Sequence, residues 1–311
     1  TTFTDLGVDS RIVEALTEVG INSPFPIQAM AIPIALRGTD MIGQARTGTG
    51  KTLAFGIPII QSLVTPQDDE FTDLPHAGAP QALVVTPTRE LASQVSRDLE
   101  VASNKRGARL ITVYGGVAYE PQLEALERGV EIVVGTPGRL LDLLQRRALN
   151  LKHCRVAVLD EADEMLDLGF LPDVERLLAA TPASRQTLLF SATMPSQIIA
   201  LARAHLNQPV NIRAESQGEQ TTVPLTTQYV YQAHDLDKPE IVARVLQAEG
   251  RDRMMIFCRT KRSAQRLADD LADRGFAAAA IHGDLNQAAR ERALKKFREG
   301  TINCLVATDV A

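Results

Sequence analysis

The chain contains no tryptophan, only 4% aromatic residues, and three cysteines in 311 residues. Cys154, Cys258 and Cys304 are odd in number and far apart, which argues against a disulfide framework and against a cysteine-built zinc site. Each reads as a small buried hydrophobe. No stretch approaches the roughly 18 uninterrupted apolar residues that a membrane helix needs, and Thr1-Thr2-Phe3-Thr4-Asp5 lacks a signal-peptide pattern. A cytosolic location, away from membranes, is the expectation. Charge of one sign is also missing: the net charge is −5, and residues 224–311 hold 14 Lys and Arg against 12 Asp and Glu. Any polyanion site must therefore be local. What is present is 45% hydrophobic and 23% charged, the balance of a soluble globular protein. The length implies two domains, each able to bury a core.

Apolar runs alternate with helix-compatible stretches, the rhythm of α/β units around a parallel sheet. Strands are expected at 82–85, 110–113, 131–134, 156–159 and 187–190, mostly continuous rather than alternating, as strands covered on both faces should be. Helices are expected at 90–103, 121–127, 139–145, 174–179 and 196–205. Residues 65–80, with three prolines and four acids, read as a solvated loop. After a run at 210–213, residues 214–223 are polar and aperiodic and read as a linker. The rhythm then restarts: strands at 226–231, 254–257, 277–281 and 303–307, helices at 238–248, 261–273 and 287–298. The expected domains are 1–213 and 224–311, with a ligand cleft between them.

Two stretches carry chemistry. Residues 45–52 read Ala-Arg-Thr-Gly-Thr-Gly-Lys-Thr between a short apolar run (Met41, Ile42) and a helical segment at 53–64. Strand, glycine loop, then helix is the setting a phosphate-binding loop requires. Thr47, Gly48, Thr49 and Gly50 would crowd backbone N–H groups around phosphate oxygens, and the helix start adds its own unpaired donors. Lys51 would neutralise the β- and γ-phosphates, and the Thr52 hydroxyl would hold magnesium. Ala45 stands where the GxxxxGK[ST] pattern has its first glycine, and a plain glycine turn capping a helix is the alternative. The second stretch is the apolar run at 156–159 followed by Asp160-Glu161-Ala162-Asp163. A carboxylate there sits at the carboxyl edge of the sheet, where open α/β folds bind ligands. Asp160 would orient magnesium and Glu161 would polarise an attacking water, although acids also open ordinary helices. Lys51-Thr52 upstream favours phosphoryl transfer.

With these residues in view the chain resembles the DEAD-box RNA helicases, superfamily-2 ATPases with two tandem RecA-like P-loop domains built on parallel sheets. Asp160-Glu161-Ala162-Asp163 spells the family's name. Phe3 and the segment from Gly20 and Ile21 to Gln28 resemble its adenine-recognition motif, with Gln28 as reader. Ile21 replaces an aromatic that stacks on adenine in many relatives. Pro87-Thr88-Arg89, Gly115-Gly116 and Thr136-Pro137-Gly138-Arg139 resemble its first-domain RNA motifs. Arg259, Gly283 after His282, Gln287, Arg290 and Thr308 before Asp309 resemble those of the second domain. Ser191-Ala192-Thr193 resembles the motif that couples nucleotide to unwinding, with Asp163 as its partner.

Physical reasons stand beside each. An amide such as Gln28 both donates to and accepts from adenine. Arg89 and Arg139 suit phosphate contacts. The glycines let a backbone approach closely, or are plain turn residues. Ser191 and Thr193 can bond Asp163 or cap a helix. The resemblance implies ATP and Mg2+ as cofactors, single-stranded or short duplex RNA as partner, and local unwinding. The second RecA-like domain is expected to be incomplete at Ala311. The motif supplying arginine fingers, worth roughly 10³–10⁵ in rate, is absent from these residues, so slow hydrolysis is expected. A DNA-directed motor, a nucleotide-gated RNA clamp and a metabolic kinase stay open as alternatives.

Overall fold

A computed structural model of the chain describes residues 1–46, 48–213, 227, 229–248, 250 and 252–308. The chain divides into two compact units, Thr1–Glu219 and Gln220–Ala311. In order, the first unit has α1 Ser10–Glu18, α2 Pro26–Leu36, β1 Met41–Gln44, α3 Lys51–Ser62, β2 Ala82–Val85, α4 Arg89–Ser103, β3 Leu110–Val113 and α5 Glu120–Arg128. It continues with β4 Ile132–Gly135, α6 Pro137–Gln145, β5 Val156–Leu159, α7 Ala162–Asp167, α8 Leu171–Ala179, β6 Gln186–Ser191, α9 Ser196–His205 and β7 Val210–Arg213. The second unit has α10 Lys238–Leu246, β8 Met254–Phe257, α11 Lys261–Asp273, β9 Ala278–Ile281, α12 Gln287–Arg298 and β10 Cys304–Ala307.

Among the described residues the first unit forms a seven-stranded sheet in the order β3-β4-β2-β5-β6-β1-β7, and every pairing is parallel. Strands β2, β4 and β5 are buried on both faces, which is why they read as unbroken apolar runs. The two-residue period sorts their side chains. Val84, Val134, Val158 and Phe190 enter one core with Phe55 and Ile57 of α3; Leu83, Val85, Val133, Ala157 and Leu159 enter the other, with Leu140 and Val174. Because all seven strands run the same way, every loop after a strand opens on one edge. The sheet order places the ends of β3, β4 and β2 side by side, followed by those of β5, β6 and β1. The second unit has a three-stranded parallel sheet, β8-β10-β9, whose strand ends likewise share an edge.

Several sequence expectations are corrected. Residues 65–80 are not featureless: Asp69–Asp73 forms a 3₁₀ turn, and Asp68 accepts from the Thr65 amide and from Arg106. Helices α1 and α2 were not expected. The first is capped by Asp9, which accepts from the Arg11 amide; α2 starts at Pro26, with the Gln28 side chain accepting from the Phe25 amide. No strand forms at Thr227 or at Tyr229, Val230 and Tyr231, which are exposed; Thr226 and Gln228 of that expected strand, like the linker expected at 214–223, Thr47 and Asp309, lie outside the described residues. Among the described residues no helix is long and apolar enough to cross a membrane.

Candidate functional site

The loop between β1 and α3 is shaped by its glycines. Gly48 and Gly50 both take φ of +82°, and Gly50 caps α3 in the left-handed region that L side chains resist. A Cβ at Gly50 would come within 2.5 Å of the Phe25 ring and 2.6 Å of Gln28 Nε2. That closeness is functional packing: Gln28, 1% exposed, donates from Nε2 to the Gly50 carbonyl at 2.9 Å. Its Oε1 accepts from the Phe25 amide at 2.9 Å, so this one side chain fastens the start of α2 to the glycine loop. Upstream, the Ala45 amide donates to the Ser191 carbonyl, tying the loop to the end of β6. The Thr49 hydroxyl closes the loop on the Arg46 carbonyl at 2.7 Å.

Lys51, first residue of α3, is buried, and its Nζ stands 3.4 Å from Asp160 Oδ1 and 3.4 Å from Glu161 Oε1. The two motifs separated by 110 positions thus meet as one charged cluster. Asp160 Oδ1 is shielded from solvent and has no hydrogen-bond partner. Burial pushes the Asp160 carboxyl up to about 6; Lys51 opposes that shift and Glu161 reinforces it. Glu161 takes φ 54° and ψ 53°, a left-handed turn that is uncommon for a non-glycine residue. Glu164, half-buried beside Glu161, Asp163 and Asp160, is pushed up to about 8, first by burial and then by hydrogen bonding to Glu161. Four acids in five positions keep their charges apart by holding protons unequally. Thr52 begins α3 next to Lys51, and Asp98 of α4 lies within its reach.

Asp163 is handled differently. Its Oδ2 accepts from the Thr193 amide at 2.9 Å and from the Thr193 hydroxyl at 2.8 Å. Its own amide donates to Ser191 Oγ at 3.1 Å, and Ser191 Oγ donates on to the Thr193 carbonyl at 2.7 Å. Burial raises the Asp163 carboxyl, but the bonds from Thr193 outweigh it and leave the group below its ordinary value. The ends of β5 and β6 are joined through this carboxylate.

On the other half of the edge, Thr88 caps α4 by accepting from the Leu91 amide, Pro87 is buried, and the Arg89 guanidinium lies against Gly116. Gly116 has φ +82°, a conformation that strains any other residue, and a Cβ there would displace Arg89 Nη1, 2.6 Å away. Thr136 caps α6, with Pro137 at its first position and Gly138 exposed with open space around it. Gly115 also faces open space.

Two sequence expectations change here. Arg139 does not present its guanidinium to solvent: it is 9% exposed, donates from Nη1 to Gln122 Oε1 at 3.0 Å and from Nη2 to the Val117 carbonyl at 3.1 Å, and lies over Tyr119. Its donors serve the neighbouring loop rather than a phosphate. Phe3 is 1% exposed in the core with Val8, Ile12 and Leu16, too deep to touch a nucleotide. Ile21 is half-buried and packs on that core. Sequence reasoning missed Asp98, Tyr119, Gln122 and Glu164, of which only Glu164 had a nearby signal, the acid run it extends; Phe25 lay within the segment that resembles the adenine-recognition motif, with no role of its own assigned.

In the second unit Arg259 is exposed just past β8, and Thr260 caps α11 in a reciprocal box with Ser263. Lys261 pairs with Asp284 at 2.7 Å beside Gly283. His282 bonds Gln265 at 2.8 Å, the structural role expected of a lone histidine. Gln287 and Arg290, expected to face RNA, are buried, and Gln287 Nε2 donates to Glu291. Thr308 is buried just past β10, and its hydroxyl has no hydrogen-bond partner among the described residues. The expected residues of this unit thus gather at one sheet edge, but differ in access.

The family profile described as DEAD/DEAH box helicase matches residues 25–201, and that described as helicase conserved C-terminal domain matches residues 237–311. The DEAD-box ATP-dependent RNA helicase CshA of Geobacillus kaustophilus is 45% identical over 311 residues, 100% of this chain and 64% of the relative. The ATP-dependent RNA helicase DeaD of Escherichia coli is 45% identical over 312 residues, 100% of this chain and 48% of the relative. The chain therefore spans about half to under two thirds of these relatives. Among solved structures, a DEAD box protein from the hyperthermophile Methanococcus jannaschii matches with TM-score 0.64 and 38% identity, over 99% of this chain and 80% of that one. Saccharomyces cerevisiae Dbp5 bound to RNA and ADP BeF3 matches with TM-score 0.85 and 27% identity, over 99% and 76%.

Proposed function

The chain belongs to the DEAD/DEAH box helicase family, and from that premise we propose that it forms the ATP-dependent, RNA-binding core of a cytoplasmic RNA helicase. The observation that carries the reading is the charged cluster at the sheet edge: Lys51 Nζ at 3.4 Å from both Asp160 and Glu161, beneath a glycine loop open to phosphates. Lys51 holds the β- and γ-phosphates. Gln28 reads adenine with the hydrogen-bonding capacity its bonds to Gly50 and Phe25 leave over. Glu161 orients the water that attacks the terminal phosphate.

A divalent cation fits the donor set. Asp160 Oδ1 is a buried oxygen without a hydrogen-bond partner among the described residues, and Thr52, which follows Lys51 in α3, has a hydroxyl now bonded to Asp98 that could turn to a metal. Magnesium, when bound, neutralises charge on the phosphate oxygens and helps fix their geometry. The RNA backbone lies along the loops after β2, β3 and β4, met by Thr88, Arg89, main chain at Gly115, Gly116 and Gly138, and the hydroxyl of Thr136. In the second unit Arg259 and Gly283, both exposed, are the candidates for a backbone contact, whereas Thr308 is buried. Asp163, bonded to Thr193, reports nucleotide occupancy to the rest of the edge.

Binding of labelled single-stranded RNA, with and without a magnesium-bound ATP analogue, tests the reading. The expected result is RNA affinity that rises with nucleotide, and nucleotide affinity that rises equally with RNA, as linkage demands. Matched DNA should bind less well where 2′-hydroxyls are read. RNA binding indifferent to nucleotide overturns the proposal.

A further inference from the structure

The ties between loops on the nucleic-acid half include one residue to which the proposed function gives no part. The Tyr119 ring lies beneath two guanidinium groups, with Arg139 at 3.9 Å and Arg146 at 4.4 Å from its centroid. Its hydroxyl donates to Asp142, whose other oxygen accepts from Arg146 Nε at 3.0 Å. That bond, followed by the one from Arg146, holds the Asp142 carboxyl below its ordinary value, so the clasp keeps its negative charge at neutral pH.

What the clasp controls is the plane of Arg139. A guanidinium donates only in its own plane, and stacking on an aromatic ring sets that plane. With the plane set, Nη2 meets the Val117 carbonyl at 3.1 Å and Nη1 meets Gln122 at 3.0 Å. Gln122 then donates to the Tyr114 carbonyl at 3.3 Å. Tyr114 and Val117 bracket Gly115 and Gly116, so both shoulders of the glycine loop hang from one guanidinium. The loop itself supplies no side chain that could hold it. Gly116 needs its left-handed φ, and Val117 is exposed. Rotation of Arg139 would release the loop's carbonyl anchor and turn the amides between Tyr114 and Val117.

We propose that Tyr119 is a positioning residue for nucleic-acid binding, fixing through Arg139 the main-chain shape of residues 115–117 that receives a phosphodiester backbone. The inference rests on the proposed function and deepens it. Tyr119 touches no ligand, and Arg139 acts as a strut rather than as a phosphate contact.

The test measures binding of a labelled oligouridine to the whole chain with a magnesium-bound ATP analogue, alongside nucleotide binding without RNA. Tyr119→Ala loses both stacking contacts and should weaken RNA binding about tenfold, with nucleotide affinity unchanged. Tyr119→Phe keeps the ring and loses only the bond to Asp142, and should weaken it about two- to threefold. This variant carries the test if the alanine variant does not fold. Arg139→Lys preserves charge but not the planar fork, so it should reproduce the Tyr119→Ala loss. The slope of log affinity against log salt should stay at the parent value in all three, because no phosphate contact is removed; a lost contact would flatten it by about 0.7.

RNA affinity unchanged in Tyr119→Ala or, where that variant does not fold, in Tyr119→Phe overturns the inference. So does full retention in Arg139→Lys, or parallel loss of RNA and nucleotide affinity. A parent chain that binds RNA without regard to nucleotide sinks the proposed function itself, a result distinct from any of these.

Discussion

After β5 and β1 the chain leaves the sheet with charged groups packed against one another; after β3, β4 and β2 it leaves with glycines, and with Arg139 turned toward the protein. Lys51, Asp160 and Glu161 crowd within 3.4 Å contacts, one carboxylate oxygen lacks any hydrogen bond, and burial holds the Asp160 carboxyl near 6. On the other half Thr88 caps its own helix, Arg89 lies under Gly116, and Arg139 is committed to Val117 and Gln122. The difference follows from the ligands each half would take. A triphosphate with its metal is compact and multiply charged, so fixed point charges pay off only there, where water is excluded. A phosphodiester strand of any sequence is long and uniform, and is met by main chain and shape.

The largest effect should come from the charged half. Lys51→Ala removes a charge-assisted phosphate contact, and nucleotide affinity should fall about 10–100-fold, as a loss of ~1.5–3 kcal/mol implies. Isothermal titration checks it; affinity within threefold of the parent would erase the contrast between the halves. Next comes a paired substitution of glycines. Gly50→Ala forces a side chain into a φ of +82° and against Phe25 and Gln28, whereas Gly138→Ala meets open space. The first should cost at least about 1–2 kcal/mol in thermal or urea unfolding, the second only tenths. Equal costs would show that the two loops are equally constrained.

Arg139→Ala should cost about 1–3 kcal/mol, because the Val117 carbonyl and Gln122 lose a buried donor. Nucleotide affinity should stay within twofold, since the residue belongs to the other half. The smallest change is expected where the halves are joined. Thr193→Ala removes one hydroxyl bond to Asp163, about 1 kcal/mol. The sign with pH is definite: the Asp163 carboxyl lies lower folded than unfolded, so its stabilisation is present above about pH 4 and fades as pH falls below that. The stability difference between Thr193→Ala and the parent should therefore shrink in acid unfolding measurements.

Much of this was readable from local sequence, and what was not had a physical reason. Strands β2 and β5 lie where their apolar runs put them, because burial on both faces leaves no other pattern, and β3 lies where expected with one face buried. The meeting of Lys51 with Asp160 follows from parallel strands ending on one edge. Arg139 is another matter: its motif is local, but its partners Gln122 and Val117 lie 17 and 22 positions upstream, and only the folded loop aims the guanidinium. Phe3 looked like a ligand contact and is core, since an aromatic side chain this large gains more from burial than from a half-exposed stack. Helix α2 was hidden by Pro26 and Pro33, residues that punctuate most sequences but here open the helix and sit inside it. At Tyr229 to Tyr231 strand propensity was strong, yet propensity in a strand is realised only against a partner.

The pairing of β2 with β5 sets how far apart these halves are. Val85 and Leu159 are register partners, and the Asp160 amide donates to the Val85 carbonyl at 3.0 Å. Adjacent strands lie about 4.8 Å apart, so Asp160, the acid proposed to face a metal, and the loop after β2, proposed to meet RNA, are separated by a single backbone bond. Deuterium uptake at the Asp160 amide would follow the opening of that one bond, the seam on which the two proposed sites abut.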